Sequence, residues 1–124
     1  MSTPLGVSVP GLIDLHTHST ASDGTLSPVA LVKLAAQRGI SVIAVTDHDT
    51  TAGIDEATRA AATLGVTVIP AIEFSTDVPT GEVHLLGYGI DPLNAGLQEA
   101  TAAFRATREE RARRMLDLLR AIGI

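Results

Sequence analysis

The sequence contains no cysteine and only three aromatic residues, Phe74, Tyr88 and Phe104. Without cysteine, the chain forms no disulfide and offers no thiolate ligand to a metal ion. With so few aromatic rings, a hydrophobic core has to be built from small aliphatic side chains, which the 45% share of hydrophobic residues provides. The lack of cysteine fits a reducing compartment, and we therefore expect a cytoplasmic protein.

Positive charge and long apolar runs are also scarce. The formal net charge is −5, so the surface as a whole does not attract nucleic acid. No stretch of about 18 apolar residues is present, and we expect no membrane span. The beginning of the chain lacks the basic and apolar segments of a signal peptide, and residues 1–11 are expected to form a short lead-in. An anionic substrate would have to be attracted locally, by metal ions or by well-placed arginines.

The hydrophobic pattern alternates between strands and helices. It predicts the order β-α-β-α-β-β-α, with strands at 12–16, 40–46, 66–72 and 83–90 and helices at 28–37, 52–64 and 95–121. This alternation is typical of an α/β fold with a mostly parallel sheet, here of four parallel-type strands. At 124 residues, the chain forms one domain or part of one. In such folds, the chemistry collects at the carboxyl ends of the strands.

All four histidines fall inside or at the end of strand-like segments: His16, His18, His48 and His84. Because successive side chains of a strand point to opposite faces, His16 and His18 point the same way and can reach one cation. Taken alone, this pair is a weak signal, since two histidines can simply share a polar strand end. His84, taken alone, is better explained as a hydrogen-bonded core histidine.

Several acidic residues lie near these histidines, and each has a structural explanation beside the functional one. Asp23 stands between a serine and a glycine, a pattern typical of a turn. Asp47 and Asp49 flank His48 and could orient its ring, but at least one is expected to cap the helix predicted from residue 52. Glu73 follows a buried strand and needs a cation or hydrogen-bond donors, which a plain salt bridge would also supply.

Taken together, the candidates form a set of four nitrogen and two oxygen ligands: His16, His18, Asp23, His48, Glu73 and His84. Six ligands are too many for one tetrahedral site, so we expect a cluster of two or three divalent ions. Mixtures of imidazole and carboxylate suit zinc, manganese or iron. Clustered ions of this kind generate a hydroxide near neutral pH and bind a phosphoryl or carbonyl oxygen.

Five segments in a fixed order carry a family resemblance: DLHTHS at 14–19, SDG at 22–24, TDHD at 46–49, IEFS at 72–75 and VHLLGY at 83–88. Together they resemble the motifs of the polymerase-and-histidinol-phosphatase (PHP) family of metal-dependent phosphoesterases. The resemblance runs from Ile13 to the end of the chain. It implies a distorted seven-stranded (β/α) barrel with a trinuclear metal site at its mouth.

The resemblance also implies how the ligands are shared among three ions: His16 and His18 on the first, Asp23 and His48 on the second, His84 on the third, and Glu73 as a bridge. On this basis we expect two catalytic residues, Glu73 and His48. We expect three further carboxylates to orient the ligands: Asp14, Asp47 and Asp49.

Three segments resemble one branch of the family, S-D-G-x-L-S-P, T-D-H-D-T-T-A-G and R-x-x-R-A-x-x-M. That branch contains nucleoside 3′,5′-bisphosphate phosphatases and exonucleases that trim short oligonucleotides from the 5′ end. The resemblance implies hydrolysis of the phosphate monoester of a small nucleotide or of a short oligonucleotide. From the lack of long apolar runs, we expect no membrane partner. Two alternatives stay open. One is a hydrolase that uses the same metals on another bond, such as an amide. The other is a non-catalytic module stabilised by metal.

The second half of the family barrel has no counterpart in this sequence. A (β/α) barrel of ordinary size takes about 250 residues. The missing half would bring a further histidine and a D-x-H motif, and no histidine follows His84. Residues 12–124 therefore correspond to the N-terminal part of the domain. We expect self-association to cover the open half of the barrel.

The last predicted helix carries six arginines: Arg105, Arg108, Arg111, Arg113, Arg114 and Arg120. Because they are mixed with acidic residues, they indicate a solvated face of the helix. The sequence does not select which of them would contact a substrate phosphate.

Overall fold

The computed structural model describes residues 11–79 and 81–124, so that the expected lead-in lies outside the described residues apart from Gly11. Four strands and three helices follow one another in the predicted order. They are β1 (Leu12–Thr17), α1 (Pro28–Gln37), β2 (Ile40–Val45), α2 (Ile54–Ala61), β3 (Thr67–Val78), β4 (Gly81–Tyr88) and α3 (Ala95–Ala121).

The strands form one sheet in the order β1-β2-β3-β4. The predicted α/β fold with a mostly parallel sheet is confirmed, because β1, β2 and β3 are parallel neighbours. The expectation of four parallel-type strands is wrong for β4, which pairs with β3 in the antiparallel sense. β3 ends at Val78 and β4 begins at Gly81, whereas a parallel return needs a dozen or more residues.

Strand β3 is longer than the sequence pattern indicates. The pattern predicts that this strand ends at residue 72, but it continues to Val78 because residues 71–78 pair with β4. The polar residues of this extension, which read as a turn in the sequence, take part in a two-stranded ribbon. The consequence is that Glu73 lies within a strand, where the backbone is held on one side by β4.

The hydrophobic core lies between the sheet and helices α1 and α2. It is aliphatic, as the shortage of aromatic residues predicts, and its most buried members are Val32, Ala35, Ile43, Val45, Ile54 and Ala57. Helix α1 begins as predicted, because the Ser27 hydroxyl accepts a hydrogen bond from the Ala30 N–H at 3.2 Å. It ends before Gly39, whose φ of 73° favours glycine at this position.

Helix α2 is shorter than predicted and begins without a side-chain cap. It starts at Ile54, not at residue 52, and its N-cap is Gly53. The expectation that Asp47 or Asp49 caps this helix is therefore wrong. Both carboxylates are buried and make their hydrogen bonds elsewhere, within the candidate site described below.

Part of the apolar surface lacks a covering layer. On β1, Leu12 and Ile13 are about two-thirds exposed, and the second half of α3 exposes Met115, Leu118 and Ile122. The four strands thus form an open half-barrel with helices packed on only part of its outer face. Within residues 11–79 and 81–124, no helix combines the length and apolar character needed to cross a membrane.

Replacement of Ile43 by alanine tests this description of the core. Ile43 is 1% exposed and sits in the cluster between the sheet and the helices. We expect Ile43→Ala to lower the free energy of unfolding by about 2–5 kcal/mol, measured by urea denaturation. The control is Leu93→Ala, at a side chain that is 87% exposed, and it should change stability by less than about 0.5 kcal/mol. Equal effects of the two substitutions would contradict the assigned core.

Candidate metal centre

The four histidines form a continuous row of rings at one end of the sheet. The ring centroids of His16 and His18 are 5.1 Å apart, those of His18 and His48 are 4.8 Å apart, and those of His48 and His84 are 4.8 Å apart. The row joins residues from β1 and the position just after it, from the segment after β2 and from β4. Residues that are far apart in the sequence are therefore brought to one place by the sheet.

Glu73 lies at the centre of this row and is only 4% exposed. Its Oε2 is 2.9 Å from Nε2 of His16, 3.1 Å from Nε2 of His18 and 3.7 Å from Nε2 of His48. Its other oxygen, Oε1, is 2.9 Å from Nδ1 of His84. One buried carboxylate thus faces all four imidazoles.

The backbone fixes His48 and Glu73 side by side. Beyond the end of β2, His48 and Glu73 form an isolated parallel bridge. The Asp49 N–H donates to the Glu73 carbonyl at 2.9 Å, and the Glu73 N–H donates to the Asp47 carbonyl at 3.3 Å. The pairing between the β2 and β3 segments therefore resumes at this point, although strand β2 itself ends at Val45. This local pairing explains why the two side chains meet.

Asp23 reaches the same cluster from the loop after β1. Its Oδ1 is 3.1 Å from Nδ1 of His18, and its Oδ2 is 3.6 Å from Nε2 of His48. The loop turns sharply at Gly24, where an added Cβ would lie 2.3 Å from the His18 carbonyl oxygen. Only glycine allows the backbone to approach this closely.

Asp47 holds this loop in place through hydrogen bonds. The carboxylate accepts hydrogen bonds from the Ser19 N–H, the Ser19 hydroxyl and the Ser22 hydroxyl, each at 2.7 Å. Asp47 is 1% exposed, so these three donors compensate a buried charge. The side chain therefore holds the segment between His18 and Asp23 against the end of β2.

The surroundings shift the pKa values of three groups in the cluster. Burial alone raises the pKa of Glu73, but the hydrogen bond with His16 and the nearby imidazoles outweigh it, and the pKa is lowered. Burial likewise raises the pKa of Asp23, and the charges of His18 and His48 reverse the shift, so that this pKa is also lowered. Hydrogen bonds with Glu82 and Glu73 raise the pKa of His84. Both carboxylates are thus kept in the charged form that binds cations.

The donor set fits divalent metal ions. Three groups of ligand atoms each lie within 4.8 Å of one another: His16, His18 and Glu73; His18, Asp23 and His48; and His48, Glu73 and His84. Among the described residues, Nδ1 of His18 and Nδ1 of His48 are buried and have no hydrogen-bond partner, the former despite its 3.1 Å distance from Asp23. If every ring were protonated, several positive charges would lie close together. Metal cations between the ring nitrogens and the carboxylate oxygens would give both kinds of atom a partner.

The three carboxylates expected to orient ligands make other contacts. Asp14 accepts a hydrogen bond from the backbone N–H of His16 at 3.2 Å. Asp47 holds Ser19 and Ser22, and Asp49 accepts from the Ser75 N–H at 3.0 Å. In the part of the chain that the structure describes, their hydrogen bonds go to backbone and hydroxyl groups and to an arginine, not to a histidine ring.

Three residues of the site escaped the sequence reasoning. Oε1 of Glu82 lies 3.3 Å from Nε2 of His84, and the strand alternation that places both on one face was the available signal. Arg105 and Arg108 of α3 border a cavity of about 340 Å³ beside Asp23, His48 and His84. The sequence indicates a solvated face for the arginines of this helix and does not select one for a phosphate, whereas the structure places these two at the cavity. No periodicity in the sequence marks them, because the contact depends on how α3 crosses the strand ends.

The tyrosine at the end of β4 contacts a strand on the other side of the sheet. The Tyr88 hydroxyl donates a hydrogen bond to the Leu15 carbonyl at 2.9 Å. The two residues belong to β4 and β1, the opposite edges of the four-stranded sheet.

Comparison with known proteins assigns the chain to a family. The PHP domain matches residues 14–119, which is most of the chain. The chain belongs to the PHP domain family, and the resemblance of its five motifs is thereby confirmed.

Individual relatives share both sequence and structure with the chain. It is 43% identical to a 5′-3′ exoribonuclease of Haemophilus influenzae, covering 90% of this chain and 40% of the relative. It is also 43% identical to a 3′,5′-nucleoside bisphosphate phosphatase of Chromobacterium violaceum, covering 90% of this chain and 39% of the relative. The chain therefore spans about two fifths of the length of these curated relatives.

Two solved structures have the same fold over most of the chain. An amidohydrolase from Chromobacterium violaceum with bound sulfate and no metal superposes with a TM-score of 0.82 at 43% identity, covering 90% of this chain and 39% of that protein. A candidate metal-dependent phosphoesterase from Bifidobacterium adolescentis superposes with a TM-score of 0.81 at 37% identity, with the same coverage. The half-barrel is thus part of the fold of PHP proteins.

The sharp turn at Gly24 gives a test of how the Asp23 loop is built. An alanine Cβ would collide with the His18 carbonyl, so we expect Gly24→Ala to lower the free energy of unfolding by about 1–3 kcal/mol. The matched control is Gly96→Ala in the first turn of α3, where a Cβ would meet only Asn94 at 3.4 Å. That change should be neutral or stabilise by up to about 1 kcal/mol. Thermal unfolding of both variants measures the difference, and a neutral Gly24→Ala would refute the close approach.

Proposed function

We propose that the protein is a metal-dependent phosphoesterase that hydrolyses phosphate monoesters of small nucleotides or short oligonucleotides. The observation that carries this proposal is the convergence of four imidazoles on the buried carboxylate of Glu73. Membership of the PHP family and relatives named for bisphosphate phosphatase and exoribonuclease activities support it. Residues 12–124 would form the N-terminal part of the catalytic domain.

Six residues would hold two or three divalent ions, of manganese, zinc or iron: His16, His18, Asp23, His48, Glu73 and His84. When bound, such ions supply an activated water and positive charge opposite the phosphoryl oxygens. His18, His48 and Glu73 each belong to two of the three ligand groups. We assign the catalytic part to Glu73 and His48, because these two are also paired through the backbone. Their fixed backbone pairing keeps both side chains in place while the substrate enters.

The cavity beside the cluster is the proposed place for the substrate. Its volume of about 340 Å³ lies at the small end of the range for ligand sites, which suits a mononucleotide or the end of an oligonucleotide. Arg105 is the proposed phosphate contact, since its described partner is only the Asp49 carbonyl, at 2.5 Å. A guanidinium has five N–H donors, so most of its capacity remains for an anion.

A related hydrolase acting on an amide is the second candidate function. One observation favours it, namely that the similar solved structure from Chromobacterium violaceum is named an amidohydrolase. The same ions would polarise a carbonyl instead of a phosphoryl group. A panel of amide and phosphate ester substrates decides between the two.

We also propose that the open side of the half-barrel is covered by association with a second copy. The exposed apolar residues of β1 and of the second half of α3 support this, because surfaces of this kind rarely face water.

We propose that the protein acts in the cytoplasm, because a sequence without cysteine fits a reducing compartment.

Loss of the histidine ligands tests the proposed reaction. In the protein at its complete natural length, we expect His16→Ala and His48→Ala to abolish binding of at least one ion. Phosphate release from a nucleoside 3′,5′-bisphosphate should fall by at least about a hundredfold. Metal analysis and a phosphate assay measure the two effects, with Glu99→Gln on the exposed part of α3 as control. Full activity of either histidine variant would defeat the proposal.

Replacement of Arg105 tests the substrate contact separately. Loss of a charge-assisted hydrogen bond should raise KM for the nucleotide by about tenfold or more in Arg105→Met. Metal content should not change, because Arg105 contacts only the backbone carbonyl of Asp49 and its loss leaves the pair of Asp49 and Arg108 intact. Arg114→Met is the matched control, since Arg114 pairs with Glu110 on the exposed side of the same helix. An unchanged KM would exclude Arg105 from the substrate site.

A further inference from the structure

Asp49 has a backbone conformation that side chains rarely adopt. Its φ is 50°, and it is the one residue other than glycine with a positive φ within residues 11–79 and 81–124. It is also completely buried and carries a carboxylate. A conformation of this kind costs about 1–3 kcal/mol and persists only when the surroundings impose it.

The surroundings of Asp49 hold it through every polar group it has. Its N–H donates to the Glu73 carbonyl at 2.9 Å, and its Oδ1 accepts from the Ser75 N–H at 3.0 Å. Its carbonyl accepts from Arg105 at 2.5 Å, and its Oδ2 accepts from Arg108. Asp49 therefore links its own segment, which carries His48, to strand β3 and to helix α3.

Arg108 is the counterion of this buried carboxylate. Its Nη2 contacts both Oδ2 of Asp49 and the hydroxyl of Ser75, two residues beyond Glu73. A buried carboxylate left without its cation is strongly unfavourable. Arg108 is thus already engaged, although it borders the substrate cavity together with Arg105.

Other side chains of helix α3 also contact the rest of the protein. Gln98 donates to the Thr51 hydroxyl at 2.7 Å, and the rings of Phe104 and Phe74 lie 6.1 Å apart. Within the described part of this helix, only Thr101 is buried. The contacts of Arg105 and Arg108 with Asp49 belong to this attachment of α3 and lie beside the cluster.

We propose that Arg108 and Asp49 are positioning residues, which hold His48 and Glu73 at the separation that metal binding requires. This inference rests on the proposed function in assuming that the cluster binds divalent ions. Asp49 follows His48 directly and is hydrogen-bonded to the backbone of Glu73 and of Ser75. Arg108 closes the arrangement from α3 by bridging Asp49 and Ser75. Without Arg108, the charge of Asp49 would pull the segment toward water and separate the two ligands.

Two other roles for Arg108 predict different results. If Arg108 bound the substrate phosphate, its loss would raise KM and leave metal affinity unchanged. If it only stabilised the fold, its loss would lower the melting temperature of the metal-free protein and again leave metal affinity unchanged. A positioning role predicts weaker metal binding in folded protein, because ligands that are no longer held in place bind less tightly.

The experiment measures binding of Mn²⁺ and of Zn²⁺ by calorimetry at one pH, below the melting temperature of each variant. We expect Arg108→Met and Asp49→Asn to raise the Kd by about 10–100-fold. Asn adopts the positive φ of residue 49 as readily as Asp, so that Asp49→Asn keeps the backbone and removes the charge. Arg108→Lys should restore part of the affinity, because it keeps the charge without the planar guanidinium. The control, Arg114→Met, should bind like the unaltered protein.

Each outcome separates the inference from the proposed function. If the unaltered protein binds no metal, the proposed function fails. If it binds metal and both Arg108→Met and Asp49→Asn keep its affinity, the positioning role is overturned while the proposed function stands. If Arg108→Met does not fold, Asp49→Asn and Arg108→Lys decide by the same measurement.

Discussion

The site depends on one constraint, a carboxylate that is buried among four imidazoles. Glu73 is nearly inaccessible to water, and each of its oxygens faces histidine nitrogens at about hydrogen-bond distance. Such a charge is tolerated only where cations or donors surround it. The parallel strands supply this environment because their carboxyl ends lie together, whereas the antiparallel return of β4 brings His84 from the other side of Glu73.

The two aspartates that flank His48 bind different neighbouring segments of the chain. Asp47 takes three donors from the loop that carries Asp23, and Asp49 takes donors from β3 and α3. His48 stands between them and points into the cluster. The two acids therefore connect the ends of β1, β2 and β3 to one another. The position of His48, which lies between them, depends on the contacts of both.

The sequence predicts the element order and the identity of the clustered side chains, because strand periodicity, helix caps and the spacing of His16 and His18 are local signals. It does not predict the partners of Asp49, because Arg108 lies 59 residues away on a helix whose orientation is a tertiary property. The sequence also predicts an aspartate cap for α2 that does not form. Aspartates that favour helix caps in isolation find stronger partners in the folded chain, so tertiary contacts override the local preference.

The hydrogen bond from Tyr88 to Leu15 has a geometric consequence for the sheet as a whole. Neighbouring strands lie about 4.8 Å apart, so the two edges of a flat four-stranded sheet would be roughly 14 Å from each other, beyond the reach of one side chain. The sheet is therefore curved, so that its two edge strands approach closely enough for the Tyr88 side chain to join them. The curvature of a barrel wall is thus already present within these four strands.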